Sequence, residues 1–166
     1  MKAINEIRTE VESIKEFILT KEYNRFSEFA SSCLEYGYIG LCYGESGVGK
    51  SLAAKYYFKW DEIILKENIK DEITKEARKC IKECKGILIT APVTNTPKII
   101  QNLVTVRTIH YEIAYEKANG ETNISKIGFG AENHCPLVII DEADRLNVNS
   151  LEQLRHLYDE GNFGLI

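Results

Sequence analysis

The segment with the clearest chemical signature is GESGVGKS, which runs from Gly44 to Ser51. Its glycines let the backbone curl so that successive N–H groups can point at phosphate oxygens. In such a loop Lys50 reaches the β- and γ-phosphates of a nucleotide, and the hydroxyl of Ser51 binds Mg²⁺. The alternative is a glycine-rich turn followed by an ordinary surface lysine, but a chance match in a chain of this length is of order 1%. The spacing therefore predicts a phosphate-binding loop.

A second group of chemically capable residues lies in LVIIDEADRL, from Leu137 to Leu146. Four apolar residues precede Asp141 and Glu142, which indicates a buried strand that ends in two carboxylates. In a chain with a phosphate-binding loop, the first acid holds Mg²⁺ directly or through water. The second acid can polarise the attacking water as a general base. A strand that merely ends at solvent is the alternative, and the presence of both motifs in one chain favours the nucleotide site.

The two motifs together predict a nucleotide and Mg²⁺ as the cofactors, without deciding between ATP and GTP. Lys50 and Glu142 are the predicted catalytic residues, and Ser51 and Asp141 are the predicted Mg²⁺ ligands. The residues predicted to contact the nucleotide are Gly44, Glu45, Ser46, Gly47, Val48, Gly49, Lys50, Ser51, Leu52 and Asp141.

The five cysteines are odd in number and irregularly spaced, unlike the disulfide framework of a small secreted protein. Cys80 and Cys84 are one helical turn apart, and with His134 and Cys135 they offer four potential zinc ligands. The spacing matches none of the usual zinc pairs, however. We therefore interpret these cysteines as small apolar side chains, on the buried face of a helix and at the entrance of a strand.

The composition limits the classes of partner. The net charge is −4, so the total charge does not indicate a basic surface for nucleic acid, although a local patch is compatible with it. No apolar run approaches the length that spans a bilayer, and the first residues lack the apolar core of a signal peptide. The sequence therefore predicts a cytosolic, cytoplasmic protein that does not enter a membrane.

Apolar periodicity and capping residues predict the helices that must position these motifs. Isoleucine and valine recur at three- and four-residue spacing over 3–21, and a second helix is expected over 23–35. Further helices are expected over 51–60, within the mixed-charge segment 61–85, from Thr96 as N-cap to about Lys117, and from a capping box of Ser150 and Gln153 to about Gly161.

Four short apolar runs predict strands, over 38–43, 86–91, 137–140 and 163–166. Alternation of such strands with helices predicts an α/β fold, in which a parallel sheet is flanked by helices on both faces. We divide the chain into an N-terminal helical segment, 1–36, and a core that contains the phosphate loop, 37–166.

These motifs resemble those of the AAA+ ATPases, a class of P-loop NTPases. More narrowly, YIGLCYGESGVGKSLAAKYY, ITAPVTNTPKIIQNL and DEADRLNVNSLEQLRHLYDEGNFGLI resemble the TniB and Mu B group of transposition ATPases. The resemblance implies an ATP-binding protein of a mobile element that assists DNA transposition or selects target DNA. It implies DNA, a transposase and further copies of the chain as partners. It also implies that Thr90 or Asn95 holds Glu142 when the site is idle.

The resemblance further implies elements that this sequence lacks. AAA+ domains of this kind continue with a fourth strand that carries a polar sensor residue, a fifth strand and a helical lid, whereas this sequence supplies only Gly164-Leu165-Ile166 of the fourth strand. That strand lies between the loop-bearing and acid-bearing strands in the family. We therefore expect an incomplete AAA+ core, in which each buried unpaired backbone group costs about 1–3 kcal/mol. Hydrolysis is expected to stay below about 1 s⁻¹, the low end of ordinary enzyme rates.

Two alternatives stay open at this point. Another AAA+ ATPase, such as a helicase loader or a secretion-associated ATPase, would carry the same two motifs. A non-catalytic truncated remnant would explain the incomplete sheet. The helix LEQLRHLYDEGNFG favours the transposition group. Arg145 and Arg155 are interpreted as partners in surface salt bridges, because the arginine finger of the family follows the fourth strand.

Overall fold

The computed structural model of the protein describes residues 17–59, 75–120 and 135–166. The helix expected over 3–21 lies almost entirely outside these ranges, and the described residues 17–20 are not helical. The helix expected within 61–85 is described only in its last part, and His134 lies outside the described residues.

The described residues form helices close to the predicted places: α1 at Lys21–Tyr36, α2 at Lys50–Phe58, α3 at Lys75–Glu83, α4 at Pro97–Asn119 and α5 at Val148–Glu160. Thr96 caps α4 as expected, since its hydroxyl oxygen accepts a hydrogen bond from Ile99 N at 3.3 Å. Gly120 ends the same helix in the left-handed conformation. None of the helices described has the length and apolarity that crossing a membrane requires.

The start of α5 differs from the prediction. The capping box of Ser150 and Gln153 is wrong, because the N-cap is Asn147, whose Oδ1 accepts a hydrogen bond from Ser150 N at 2.9 Å. Asn147 also donates from Nδ2 to the carbonyl of Asn95, at 3.0 Å. This tertiary contact selects Asn147 as the cap and places Ser150 inside the first turn. There the Ser150 side chain is fully buried, and its hydroxyl has no hydrogen-bond partner within the described part of the chain.

A parallel sheet lies at the centre, with β1 at Ile87–Thr90, β2 at Leu137–Asp141 and β3 at Gly164–Leu165, in that spatial order. Its register pairs Ile87 with Val138 and Leu137 with Gly164. Ile39 forms a parallel bridge to Leu165 on the other side of β3. The predicted α/β fold, with a parallel sheet flanked by helices, is thereby confirmed.

The short strand β3 is hydrogen-bonded along both edges. Leu165 N donates to Tyr38 O at 3.0 Å, and Gly40 N donates to Leu165 O at 2.7 Å. On the opposite edge, Ile166 N donates to Val138 O at 2.9 Å. The expected gap between the loop-bearing and acid-bearing segments is therefore filled over these residues.

The segment 38–43 departs from the buried strand that its apolar sequence predicts. Only Ile39 is paired as in a sheet, and Leu41 and Tyr43 are 77% and 86% exposed. Among the described residues, the bond from Gly40 N to Leu165 O is the last backbone hydrogen bond between this segment and β3. A run of apolar residues indicates a strand, but it forms one only where a neighbouring strand runs beside it.

The helices cover the sheet and fix the position of α2. Helix α1 packs on β3, while α2 and α4 pack on β1. The approach of α1 is close, because a Cβ atom at Gly164 would lie 2.2 Å from the carbonyl oxygen of Cys33. Phe58, at the end of α2, is fully buried, and Ala53 and Ala54 are buried beside it. The helix that follows the phosphate loop is therefore anchored in the core by its second half.

Cys84 and Cys135 are buried, as the apolar interpretation predicts, whereas Cys80 is only partly buried. Cys84 Sγ donates to Gly86 O at 3.2 Å, and Cys135 Sγ donates to Leu137 O at 3.6 Å. Burial raises the pKa of Cys84 to about 12 and also raises the pKa of Cys135. Among residues 17–59, 75–120 and 135–166, no group of three potential metal ligands occurs.

We expect Asn147→Ala to lower the free energy of unfolding by about 1 kcal/mol, the usual contribution of a helix N-cap. Ser150→Ala should leave the free energy of unfolding unchanged or raise it, because it removes a buried hydroxyl that makes no hydrogen bond. Urea denaturation of the two variants and the wild type would test this. A larger loss for Ser150→Ala than for Asn147→Ala would restore Ser150 as the cap.

Stability should decline at alkaline pH because the buried thiols resist ionisation. The pKa of Cys84 rises from 9.0 to about 12 on folding, so its contribution is complete below pH 9 and is lost as the pH rises towards 12. The slope is about 1.4 kcal/mol per pH unit for each such thiol. Cys84→Ala should make the decline between pH 9 and 10.5 shallower, as measured by urea denaturation. Cys42→Ala, at an exposed position, is the control; equal slopes in both variants would contradict the assignment.

Candidate nucleotide site

Because the strands are parallel, the segments that follow them emerge at one edge of the sheet. The phosphate loop follows Ile39, and Asp141 and Glu142 come at the end of β2. In the sheet, β3 lies between Ile39 and β2. Ile39 and β2 are therefore two strand spacings, about 10 Å, apart. The carboxyl edge of a parallel sheet is where ligands bind in open α/β folds. The fold thus brings both motifs to the same edge.

The backbone of the phosphate loop is open towards solvent. Gly47 and Gly49 have φ values of 83° and 92°, which side chains disfavour, and a Cβ atom at either would meet nothing within 4 Å. Residues 46 and 47 form a turn, and none of the N–H groups of residues 45–49 donates to a distant backbone carbonyl in the part of the chain that the structure describes. Successive backbone N–H groups in a turn can bind a phosphate. The loop as folded therefore fits a phosphate group.

Lys50 lies across the loop. Its Nζ donates to the carbonyl oxygens of Gly44 and Glu45, at 2.8 Å each. The ammonium is thereby held over the turn that the loop encloses, instead of extending into solvent. Its position is consistent with the predicted contact to phosphate oxygens.

Helix α2 supplies the N-terminal end of a dipole to the same loop. Gly49 is its N-cap, and Ala53 N donates to Gly49 O at 2.8 Å. Ser51 and Leu52 lie in the first turn and are exposed, whereas Phe58 anchors the other end. The positive end of the helix dipole favours an anion at this position. The Ser51 hydroxyl is an oxygen donor of the kind that Mg²⁺ accepts.

The acid pair occupies a tight turn at the end of β2. Asp141 is half-buried and lies opposite Thr90, and its Oδ1 accepts a hydrogen bond from Glu142 N at 3.0 Å. Its other carboxylate oxygen has no hydrogen bond to any described residue. A carboxylate with a free oxygen fits a hard cation such as Mg²⁺. The donor set of Ser51 and Asp141 is therefore of the right chemical type.

Glu142 has a left-handed backbone conformation, with φ of 56° and ψ of 39°. Its carboxylate forms an ion pair with Arg145, three residues later, in the 3₁₀ turn Ala143–Arg145. Arg155 pairs with Glu152 and Asp159 on the surface of α5, at 3.7 and 3.5 Å. Both arginines thus form surface salt bridges as expected, but the partner of Arg145 is the predicted general base.

Asn95 connects the loop after β1 to the turn after β2. Its side chain is only 9% exposed, and its Nδ2 donates to Arg145 O at 2.9 Å and to Pro92 O at 3.2 Å. Its Oδ1 accepts from Asn147 N at 3.1 Å. The resemblance implied that Thr90 or Asn95 holds Glu142, but the Asn95 side chain is bonded to Pro92, Arg145 and Asn147 instead. The described side chain that pairs with Glu142 is Arg145.

An aromatic cluster lies on the outer side of α2. The ring of Phe17 stacks on Tyr56 of α2, with centroids 3.9 Å apart, and both rings contact Tyr23 of α1 edge to face. Burial and the neighbouring Tyr56 raise the pKa of Tyr23. These contacts tie the residues that precede α1 to the helix that carries Lys50 and Ser51.

Sequence reasoning missed the connection of Arg145 with the site. The spacing of Glu142 and Arg145 is a signal for a salt bridge within one turn, but such pairs are common on protein surfaces. The second hydrogen bond of Arg145, from Nη1 to Ala91 O at 3.4 Å, crosses to another strand and has no local signal.

Comparison with known proteins gives one family and one curated relative. The AAA domain family matches residues 34–166. A protein of Staphylococcus aureus named "Potential ATP-binding protein" is 35% identical over 161 residues, which cover 90% of this chain. The chain spans 57% of the length of that relative. No solved structure matches the chain significantly.

The family match extends over the phosphate loop, the acid pair and all three strands. The alignment with the relative extends over 90% of the chain. Taken with the parallel sheet and the phosphate loop, these findings establish that the chain belongs to the AAA domain family.

Proposed function

We propose that this domain binds ATP with Mg²⁺ at the carboxyl edge of the sheet and hydrolyses it there. The observation that carries the proposal is the arrangement of an open phosphate loop and an acid pair at one edge, with β3 between them. Residues 44–52 form the binding loop in this proposal, and Asp141 and Glu142 face the reacting end of the nucleotide.

Each residue of the loop has a separate task in this proposal. The N–H groups of residues 45–49 donate to phosphate oxygens. Lys50 exchanges its bonds to Gly44 O and Glu45 O for charge-assisted bonds to the terminal phosphates. Because the ammonium is already held over the loop, this exchange requires only a small movement of the side chain.

The acid pair acts on the metal and on water. Ser51 and Asp141 would hold Mg²⁺, which neutralises charge on the phosphates when it is bound. Glu142 accepts a hydrogen bond from the attacking water and takes its proton as the γ-phosphate is transferred. The exposed position of Glu142 leaves water access to its carboxylate.

We further propose that the whole protein acts in the cytoplasm in DNA transposition, where ATP binding controls assembly on DNA and contact with a transposase. The support is the resemblance of three segments to the TniB and Mu B group, including the segment from Asp141 through α5 to Ile166. DNA, a transposase and further copies of the chain are the proposed partners. A pull-down of target DNA that depends on ATP would test this role.

ATP with Mg²⁺ should raise the melting temperature of the wild-type protein. Ligand at a hundred times its dissociation constant adds about 2.7 kcal/mol, which corresponds to several degrees for a domain of this size. In Lys50→Ala the shift should be absent or greatly reduced. Lys55→Ala is the matched control, because Lys55 lies on the same helix and is exposed. An equal shift in Lys50→Ala and the wild type would rule out the loop as the ATP site.

Glu142→Gln should separate hydrolysis from binding. We expect the rate of single-turnover hydrolysis to fall by about a hundredfold or more, since general base catalysis contributes roughly 10²–10⁴. The dissociation constant for ATP with Mg²⁺ should stay within a factor of about two, because the amide retains the shape of the carboxylate. Unchanged hydrolysis would show that another group activates the water.

A further inference from the structure

Helix α3 has one basic side and one buried side. Lys75, Arg78 and Lys82 recur at three- and four-residue spacing, which places them on one face of the helix. The side chains of all three are exposed. Ile81 and, directly after the helix, Cys84 lie on the other side and are buried. Packing of the apolar side against the rest of the fold therefore holds these three residues, the basic face of α3, towards solvent.

The ion pairs near this helix leave the basic face charged. Glu83 is paired with Lys59, which follows α2, and with Lys79 at 3.9 Å. Within residues 17–59, 75–120 and 135–166, no ion pair involves a residue of the basic face. Its three positive charges are therefore balanced by solvent and counterions, which a polyanion can displace.

The charge of this region is opposite to that of the whole chain. Residues 75–85 contain five basic and two acidic residues, whereas the net charge of the chain is −4. The remaining residues therefore carry a larger negative total than the chain itself. A polyanionic partner is accordingly attracted to this region, while the average charge of the other residues repels it.

The composition of the basic face fits a row of phosphates. Lysine and arginine are side chains that contact DNA phosphates, and α3 contains no asparagine or glutamine, which read adenine. Lys75 and Lys82 are about 10 Å apart along the helix axis. Double-stranded DNA carries one charge per about 1.7 Å of its axis, whereas an extended acidic polypeptide carries at most one per about 3.3 Å. Duplex DNA therefore offers this face the higher density of negative charge.

We propose that the basic face of α3 binds the phosphate backbone of double-stranded DNA, independently of base sequence. This inference rests on the proposed function, in which DNA is a partner, and adds the surface and the kind of contact. The face lies beside the end of α2 that is remote from the phosphate loop, since Glu83 of α3 pairs with Lys59. DNA bound there leaves the nucleotide site open, so the domain can hold ATP and DNA together.

The test is fluorescence anisotropy of the full chain with two labelled DNA duplexes of unrelated sequence, over a range of salt concentrations. The double variant Arg78→Gln/Lys82→Gln should bind both duplexes about tenfold or more weakly than the wild type at low salt. The slope of the logarithm of affinity against the logarithm of salt concentration should fall by about 0.9 for each lost phosphate contact, and so by about 1.8. The loss should be the same for both duplexes, because the contacts are to the backbone.

A matched control removes the same charge from another helix. Lys21 and Arg25 are exposed residues of α1 and, like Arg78 and Lys82, lie four positions apart. Lys21→Gln/Arg25→Gln should keep the salt slope of the wild type. Both double variants should also keep the rise in melting temperature that ATP with Mg²⁺ produces, which shows that they are folded and that the nucleotide site is separate.

Four outcomes would overturn the inference: an unchanged slope in Arg78→Gln/Lys82→Gln, an equal loss in the control variant, a loss confined to one duplex, or tighter binding of polyglutamate than of DNA. The last of these would identify an acidic polypeptide as the partner. If the double variant does not fold, Lys82→Gln alone should lower the slope by about 0.9, and an unchanged slope overturns the inference. A wild type that binds neither duplex overturns the inference and the role in transposition, whereas ATP binding through Lys50 is tested separately and would stand.

Discussion

The pairing of β2 along both of its edges is the constraint on which the rest of this structure depends. Its residues 137–140 are buried, so their N–H and C=O groups cannot turn to water and must be bonded to neighbouring strands. β1 satisfies one edge and β3, with Ile166, the other. The register of these pairs then fixes where β2 ends, and so places Asp141 and Glu142 at the edge where the phosphate loop begins.

Local signals were sufficient for much of the fold. Thr96 with Pro97, the glycines at 37 and 120, and the apolar runs in β1 and β2 act within a few residues, and the structure agrees with each. Two features depend on distant residues instead. Asn147 caps α5 because Asn95 holds it, and the segment after Ile39 is irregular where it has no strand partner among the described residues. These long-range contacts cannot be predicted from a single sequence.

The candidate site divides in the same way. The conformation of the segment from Gly44 to Ser51 could be predicted from the sequence, since glycine conformations and the start of α2 are local properties. The acid pair could be predicted from its place after an apolar strand. The partner of Glu142 could not, because the resemblance implied Asn95 or Thr90, whereas Asn95 bonds to the backbone of Arg145. The role of a polar residue near this turn depends on which hydrogen-bond partners the fold places beside it.

The bridge between Ile39 and Leu165 has a consequence for how the protein folds. About three quarters of the chain separates these two residues, so the contact that positions the phosphate loop has a very high sequence separation. Contacts of this kind close large loops and form slowly. During synthesis from the N-terminus, the helices and the β1–β2 pair can form first, whereas the phosphate loop is held against the sheet only after Leu165 has left the ribosome. The contact that positions the phosphate loop can thus form only after the residues of the β1–β2 pair have been synthesised.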